Sequence, residues 1–360
     1  MQIGLVGLQY SGKTTLFNTL AKIDQDPMQS VKEEATIEVV KVPDERLDKL
    51  SEIFNPKKKV NATIELFDFP GLRMGDDGKV KITTTFLNNV KNNDALFFVI
   101  RQFQNDAVMH PMNSVDPLRD VKFLEEEFMF YDLSFLENRI EKLKKEVMKV
   151  NKPEVKHELA LIESCFAHVE SEKPLRTMDL HPEDLKRLSG YQLLTLKPVA
   201  VAINFDDSSM DEVDKVIEEI KSGVQDKDIC VIPFFAQIEL ELSQMEEEDQ
   251  AAFMEDYGIT ESALTKILRT SYELLGLQSF LTVGEDECRA WTIRKGYTAP
   301  EAAGVIHSDF YNKFIKADVV HYDDFMVHKS LSKCRDAGVR RLEGKEYIVK
   351  DGDIMDIRHG

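Results

Sequence analysis

The feature that most constrains this chain is the segment Gly7-Leu-Gln-Tyr-Ser-Gly-Lys-Thr14 near its N-terminus. It fits the pattern G-x-x-x-x-G-K-[S/T] and lies between an apolar run, Gln2–Val6, and a run of helical character, Lys13–Lys22. A strand, a glycine-rich loop and a helix in this order place backbone N–H groups and the positive end of a helix around a phosphate. The segment therefore predicts a P-loop domain that binds a nucleoside triphosphate.

The loop residues have separate predicted roles. We expect Lys13 to reach the β- and γ-phosphate oxygens and to act in catalysis, and we expect the Thr14 hydroxyl to bind Mg²⁺. The predicted nucleotide-binding residues of the loop are Gly7, Gln9, Tyr10, Ser11, Gly12, Lys13, Thr14 and Thr15.

Two further segments predict switches around the phosphates. Asp68-Phe-Pro-Gly71 ends a second apolar strand, which places Asp68 near Mg²⁺ and the catalytic N–H of Gly71 near the γ-phosphate. Asp-x-x-Gly alone is a common turn, but its position after a P-loop favours a switch. Thr36 precedes another strand and is the third predicted metal ligand, although a threonine there is a weak signal on its own.

A base pocket is predicted at Asn204-Phe-Asp-Asp207, directly after the buried run Val199–Ile203. Guanine-binding domains carry Asn-Lys-x-Asp at this place, so Asn204, Phe205 and Asp207 are the candidate base contacts. The next apolar run, Ile229–Pro233, leads to Ala236, whose main-chain N–H is expected behind the base. Phe205 replaces the lysine while Asp207 is kept, so these residues leave ATP and GTP both open.

The alternation of apolar and helical runs predicts an α/β fold with a mostly parallel sheet. Between two parts of this pattern lies a heptad repeat on either side of Pro153, formed by Leu133, Leu136, Ile140, Leu143, Val147 and Val150, then Val155, Leu159, Ile162, Phe166 and Val169. The repeat predicts an antiparallel coiled-coil hairpin, and the alternative is an ordinary helical subdomain folded onto the sheet. The predicted domains are a G domain at 1–131 and 191–278, the helical insert at 132–190, and a small α+β domain at 279–360.

Composition excludes several classes of protein. No apolar stretch approaches the ~20 residues that cross a bilayer, and no secretory signal is visible, so we expect a cytoplasmic protein without membrane contact. The four cysteines lack Cys-x-x-Cys spacing, which argues against zinc and disulfides. The net charge is −19, most of it before residue 280, and no basic helix or zinc module is present. These features argue against sequence-specific DNA binding.

Taken together, the motifs resemble the YchF family, the Obg-like ATPases of the translation-factor class of P-loop GTPases. The resemblance spans nearly the whole chain and is densest in the C-terminal part. It rests on the P-loop, Leu16–Leu20, Thr36–Glu38, Pro43–Leu47, Asp68–Gly71, Arg101–His110, Leu196–Pro198, Arg289–Thr292, Ala299–Ala303, Ile306–Phe310 and Glu343–Asp353.

The resemblance implies an ATP-preferring hydrolase with a β-grasp TGS domain and an association with ribosomes or RNA. It also implies a hydrophobic residue after Asp-x-x-Gly, matched by Leu72, and a hydrolytic histidine, matched by His110. From the residues alone, a single histidine in a loop is more often simply solvated.

The chain also departs from the family pattern. Tyr10 stands where the family has an asparagine that can help to hold a monovalent cation, and residues 79–85 replace the family's glycine-rich segment after the second switch. We therefore expect a divergent member, a slow ATPase or GTPase that regulates ribosome-associated interactions. The alternative is a catalytically weak scaffold whose binding is gated by nucleotide.

Overall fold

The structure is a computed structural model of the 360-residue chain, and it describes residues 1–23, 35–73, 75, 82–150, 152–245, 247–256 and 261–360. Backbone contacts divide the chain into two compact units. One unit comprises residues 1–38 and 65–267, and the other comprises residues 39–64 and 268–360.

The elements follow one another in a mixed α/β order. The strands are β1 (Gln2–Val6), β2 (Thr36–Lys41), β3 (Lys58–Val60), β4 (Thr63–Asp68), β5 (Ala95–Arg101), β6 (Val199–Asn204), β7 (Cys230–Phe234), β8 (Leu277–Thr282), β9 (Glu287–Arg294), β10 (Phe314–His321), β11 (Arg341–Glu343) and β12 (Asp353–His359). The helices are α1 (Lys13–Ala21), α2 (Glu45–Phe54), α3 (Thr84–Lys91), α4 (Pro117–Lys149), α5 (Pro153–Glu170), α6 (Pro182–Leu188), α7 (Val213–Gly223), α8 (Ala236–Gln244), α9 (Glu247–Asp256), α10 (Ala263–Leu274), α11 (Ala299–Ile306), α12 (Ser308–Asn312), α13 (Tyr322–His328) and α14 (Leu331–Asp336), with short 3-10 turns at Leu175–Thr177, Ser189–Tyr191 and Asp207–Glu212.

The first sheet has the strand order β2-β4-β1-β5-β6-β7, and the pairs from β4 to β7 are parallel. Every residue of β5 and β6 is buried, as expected for central strands covered on both faces. The predicted α/β P-loop fold is confirmed, with the predicted strands in place. Because the strands are parallel, the carboxyl ends of β1, β4, β5 and β6 meet at one edge, where the motif residues lie.

Helices α4 and α5 pack against each other in the segment where the sequence predicts an antiparallel coiled-coil hairpin. Their heptad residues Leu136, Leu143 and Ile162 are fully buried. The same apolar cluster also contains Leu175 and Leu188, which follow α5 in the chain, so the core of the hairpin is wider than a two-helix seam. Helix α4 is 33 residues long and begins at Pro117, well before the predicted start of the insert at 132. The insert is therefore a continuation of a helix that packs on the sheet of the first unit.

The second unit is built on the sheet β11-β10-β12-β8-β9-β3, with α11 packed against it. Its apolar core includes Phe280, Ile293, Ala303, Val319 and Met355. The sequence predicts a small α+β domain at 279–360 and places residues 39–64 in the G domain. In the structure β3 pairs in parallel with β9, so that segment belongs to the second unit. The three-residue strand carries too little pattern to indicate a partner so distant in sequence.

Among the described residues, no helix combines the length and the apolar character that crossing a membrane requires.

Candidate nucleotide-binding site

The P-loop connects β1 to α1, and two glycines permit its close packing. Gly12 has φ +96°, and a Cβ atom there would lie 2.2 Å from Asn204 Nδ2. A Cβ atom at Gly7 would lie 2.3 Å from the Val99 carbonyl oxygen. Tyr10 also has a positive φ, 64°, and its side chain is half exposed. The loop therefore curls tightly against β5 and β6, and larger residues at the two glycines would force it open.

The Lys13 ammonium is buried beneath this loop. The residue is 5% exposed, and Nζ donates to the Gly7 oxygen at 3.1 Å and to the Leu8 oxygen at 2.8 Å. Burial lowers the pKa of Lys13 to about 8, and the nearby Asp68 carboxylate opposes that shift. Lys13 is thus largely protonated at pH 7, held in place and able to attract an anion.

Thr14 and Asp68 lie together, as the prediction of two metal ligands requires. The Thr14 Oγ1 hydroxyl donates to Asp68 Oδ2 at 2.9 Å. Parallel pairing of β1 with β4 aligns Leu5 with Asp68, which places the carboxylate beside the P-loop. A hydroxyl and a carboxylate are oxygen donors of the kind that Mg²⁺ prefers, so this pair fits the metal.

Gly71 lies against the P-loop through main-chain contacts. The Gln9 N–H donates to the Leu72 oxygen at 3.0 Å, and the Leu72 N–H donates to the Gly7 oxygen at 3.1 Å. A Cβ atom at Gly71 would lie 2.7 Å from Gln9 Cα and 3.1 Å from Lys13 Nζ. Only glycine fits this close approach, and it keeps the Gly71 backbone next to the cation that is expected to meet the γ-phosphate.

These residues line an open cleft of about 760 Å³. Its walls are formed by Gln9, Tyr10, Ser11, Gly12, Lys13, Thr14, Thr15, Asp68, Phe69, Pro70, Gly71, Arg73, Phe103, Asn105, Ala107, Val108 and Met109. The structure thus brings together every predicted P-loop contact except Gly7, together with both residues predicted from Asp-x-x-Gly. Ser11 is 2% exposed, and its Oγ has no hydrogen-bond partner among the described residues, so a polar atom of the cleft is left for a ligand.

The cleft wall at 103–109 is held in place by Arg101, a residue whose role was not predicted from the sequence. Arg101 is 2% exposed, and its guanidinium donates to the main-chain oxygens of Phe103 (3.0 Å), Val108 (3.0 Å) and Asn105 (3.4 Å). The guanidinium also lies 4.4 Å from the centre of the Phe103 ring. One buried side chain therefore fixes the path of the loop. The only signal in the sequence is an arginine at the end of an apolar strand.

His110 follows this wall but does not line the cleft. Its Nδ1 accepts the Met112 N–H at 3.1 Å, so Nε2 carries the proton and donates to Asp120 Oδ2 at 2.9 Å. Burial lowers the pKa of His110, while Asp120 opposes the shift and Arg119 adds to it. With these hydrogen bonds the imidazole is neutral, and both of its nitrogens are bonded to residues that do not line the cleft. Its hydrolytic role stays a prediction.

The predicted base contacts differ from the observed arrangement. Phe205 is 3% exposed and packs against Phe235 in the core, so it does not flank the cleft as expected. Asn204 Nδ2 donates to the Ser11 oxygen at 3.3 Å, and Asn204 Oδ1 accepts the Ala236 N–H at 3.2 Å. Asn204 therefore joins the P-loop to α8, and the Ala236 N–H is already used. Asp207 is exposed.

Two predicted features cannot be placed at the cleft. Thr36 begins β2 and is absent from the cleft walls, so its role as a metal ligand stays a prediction. Residues 79–81, in the segment after the second switch, lie outside the described residues.

Comparison with known proteins identifies the family. The "Ribosome-binding ATPase YchF" of Haemophilus ducreyi is 37% identical over 359 residues, which cover 99% of this chain and 98% of that protein. The chain belongs to the YchF family. The YchF protein of Bacillus subtilis, which has the same name, is 35% identical over 361 residues, covering 99% and 98% of the two chains. The solved structure of the Schizosaccharomyces pombe YchF GTPase covers 99% of this chain and 97% of its own, with a TM-score of 0.87 and 32% identity.

Two family models match separate parts of the chain, and one of these parts contains the cleft. The model MMR_HSR1, described as a 50S ribosome-binding GTPase, matches residues 2–152, which contain the P-loop, Asp68 and the wall at 103–109. The model YchF-GTPase_C, described as a protein of unknown function, matches residues 277–360. The nucleotide cleft therefore lies entirely within the part that matches a GTPase model.

Proposed function

We propose that this YchF protein binds Mg²⁺–ATP in the cleft, hydrolyses it slowly and acts in association with the ribosome. The observation that carries the proposal is the convergence of Lys13, Thr14, Asp68 and Gly71 on one cleft. Relatives of nearly the same length bear the name ribosome-binding ATPase, which supports both ATP as the nucleotide and the ribosome as the partner.

In this proposal the chain supplies position and charge rather than a covalent intermediate. The Lys13 ammonium offsets negative charge on the β- and γ-phosphates, and P-loop N–H groups hold the phosphate oxygens in a fixed orientation. We expect the N–H of Gly71 to donate to a γ-phosphate oxygen as charge develops, because the Gly71 backbone packs against the P-loop. Bound at Thr14 and Asp68, Mg²⁺ would neutralise phosphate charge. An attacking water is positioned by His110 only if the imidazole leaves Asp120.

We propose ATP rather than GTP as the physiological nucleotide. A guanine site of the Asn-Lys-x-Asp type uses the lysine stem beside the base, and here Phe205 turns into the core instead. Asn204 and the exposed Asp207 both keep a guanine-binding identity, but the Asn204 amide already bonds to the P-loop and to α8, so Asp207 is the residue left to contact a guanine. If it does bind guanine, GTP will bind more tightly than ATP and Asp207→Ala will remove that preference, which would contradict this part of the proposal.

Titration with ATP and GTP in the presence of Mg²⁺ tests the site. We expect Thr14→Ala to weaken Mg²⁺–ATP binding at least about tenfold, because a phosphate-bridging metal ligand is lost. The variant should bind equally weakly with and without Mg²⁺. Thr63→Ala, at an exposed threonine of β4 outside the cleft, is the matched control and should bind as the wild type does. Unchanged affinity in Thr14→Ala would remove the P-loop from the proposal.

One observation favours the alternative of a nucleotide-gated scaffold with little turnover. Both ring nitrogens of His110 are bonded within its own loop and to α4, so no imidazole nitrogen faces the cleft. The scaffold and the enzyme predict the same nucleotide affinity but different turnover, so the rate of hydrolysis separates them.

A further inference from the structure

A cluster of lysines lies at the end of the α4–α5 hairpin, within a chain that is otherwise strongly acidic. Residues 142–150 and 152–156 contain six lysines and two glutamates, whereas the whole chain carries a net charge of −19. We name the exposed lysines Lys142, Lys145 and Lys149 of α4 the tip stripe. The local excess of positive charge is therefore concentrated at one end of one structural element.

The three lysines of the tip stripe share one face of α4. Their spacing of three and four residues places their side chains in line along the helix. The buried residues Leu136 and Leu143 mark the opposite face, which packs against α5. The stripe thus points away from the partner helix and is available to a separate molecule.

In the described ranges, the stripe lysines form no salt bridge, although Glu141 and Glu146 lie within one helical turn of them on α4. By contrast, Lys144, which lies on the side of α4 next to α5, pairs with Glu163 at 2.9 Å. The hairpin therefore uses one of its lysines for its own structure and leaves the stripe without an internal partner.

An exposed apolar side chain accompanies the charges. Met148 is 85% exposed and lies next to Lys149 at the end of α4. Lys149 in the last turn complements the dipole of α4, but the exposed side chain of Met148 adds nothing to the core of the hairpin. Together they fit a contact surface that combines charge attraction with the burial of a small apolar group.

From this arrangement we infer that the tip stripe docks on the phosphate backbone of ribosomal RNA. This inference rests on the proposed association with the ribosome and adds the surface that makes the contact. RNA is the partner that the charge favours, because a line of unpaired cations complements a polyphosphate backbone. In the second unit, the basic pair Arg340 and Arg341 is already engaged, since Arg340 is 3.4 Å from Asp318 and Arg341 is 3.0 Å from Glu343.

The test compares two triple variants of the full-length protein. The first carries Lys142→Gln, Lys145→Gln and Lys149→Gln, which removes the charge and keeps the side-chain length. The matched control carries Lys122→Gln, Lys215→Gln and Lys221→Gln, three exposed lysines of α4 and α7 in the same unit. Circular dichroism and ATP affinity, both expected to be unchanged in each variant, show that the fold and the cleft are intact.

Binding to purified ribosomes and to protein-free ribosomal RNA is then measured over a series of salt concentrations. We expect the tip-stripe variant to bind both at least about tenfold more weakly, with a slope of log affinity against log salt that is shallower by about 2, since three phosphate contacts are lost. The control variant should match the wild type.

Three results would overturn the inference. Equal binding of the two triple variants to ribosomes would show that the stripe makes no contact, while the proposed function stands. Weaker binding to ribosomes with unchanged binding to free RNA would assign the stripe to a ribosomal protein. Absence of ribosome binding by the wild type would refute both this inference and the ribosome part of the proposed function, whereas ATP hydrolysis would be unaffected.

Discussion

The Lys13 ammonium is the positive charge that is expected to meet the phosphates, and its protonation makes nucleotide binding dependent on pH. Its pKa in the free protein is lowered to about 8, so the ammonium loses its proton over an accessible range. Bound phosphates stabilise the charged form. The affinity for ATP should therefore be greatest below pH 8 and should fall as the pH rises through 8, by roughly tenfold between pH 7 and pH 9.

Calorimetric titration at several pH values between 7 and 9 measures this dependence. Lys13→Arg provides the control, because a guanidinium keeps its proton throughout this range, and its affinity should not vary with pH whatever its absolute value. An affinity of the wild type that is constant or that increases with pH would contradict the role assigned to Lys13.

Single residues of the site differ in how far the sequence predicts them. Lys13, Thr14 and Asp68 lie together at the cleft, and the sequence could predict this because two short motifs, each at the end of a strand, fix their positions. Phe205 was placed wrongly because the motif fixes its position in the chain but not whether the side chain turns toward the cleft or into the core. In the structure the Phe205 ring packs against Phe235, thirty residues later in the chain, and this contact holds the side chain in the core.

At the scale of an element, the loop at 103–109 depends on Arg101. Its guanidinium donates to three carbonyl oxygens, and an ammonium cannot reproduce that planar arrangement. We expect Arg101→Lys to keep the fold but loosen the loop, which should weaken ATP binding about tenfold if one or two hydrogen bonds of about 1 kcal/mol each are lost. Fluorescent-nucleotide titration and amide hydrogen exchange measure the two effects.

The matched control for Arg101 is Arg187→Lys, at an exposed arginine of α6. It should alter neither affinity nor exchange. Slow exchange in residues 103–109 of Arg101→Lys, together with wild-type affinity, would show that the loop holds its shape without the guanidinium and would remove Arg101 from the account.

An apolar sequence pattern is sufficient to predict some of the helices and strands but not others. The buried strands β5 and β6 and the heptads of α4 and α5 were predicted because each carries a periodic apolar pattern over several residues. β3 has three residues, two of them lysines, and its partner β9 begins at Glu287. No local pattern encodes a pairing across that separation, so the second unit could not be assembled from sequence.

At the scale of the whole molecule, net charge is a poor guide to the surface. A charge of −19 argues against sequence-specific DNA binding, yet the lysines of the hairpin end form a positive region within the acidic first unit. Average composition hides such a cluster, and only the placement of α4 against α5 shows which lysines face outward. The same fold keeps the ATP cleft and the hairpin end on one continuous unit of residues 1–38 and 65–267.

The central claim, that this YchF chain hydrolyses ATP through its P-loop cleft, is tested by the turnover of ATP by the purified wild type beside Lys13→Ala and His110→Ala. His157→Ala, at a half-exposed histidine of α5, controls for the loss of an imidazole. We predict slow turnover in the wild type and none above background in Lys13→Ala. In His110→Ala, turnover should fall at least about tenfold while the affinity for ATP is unchanged. That combination is the pattern of an interaction made only in the transition state. Wild-type turnover equal to that of Lys13→Ala would contradict the enzyme and leave the nucleotide-gated scaffold.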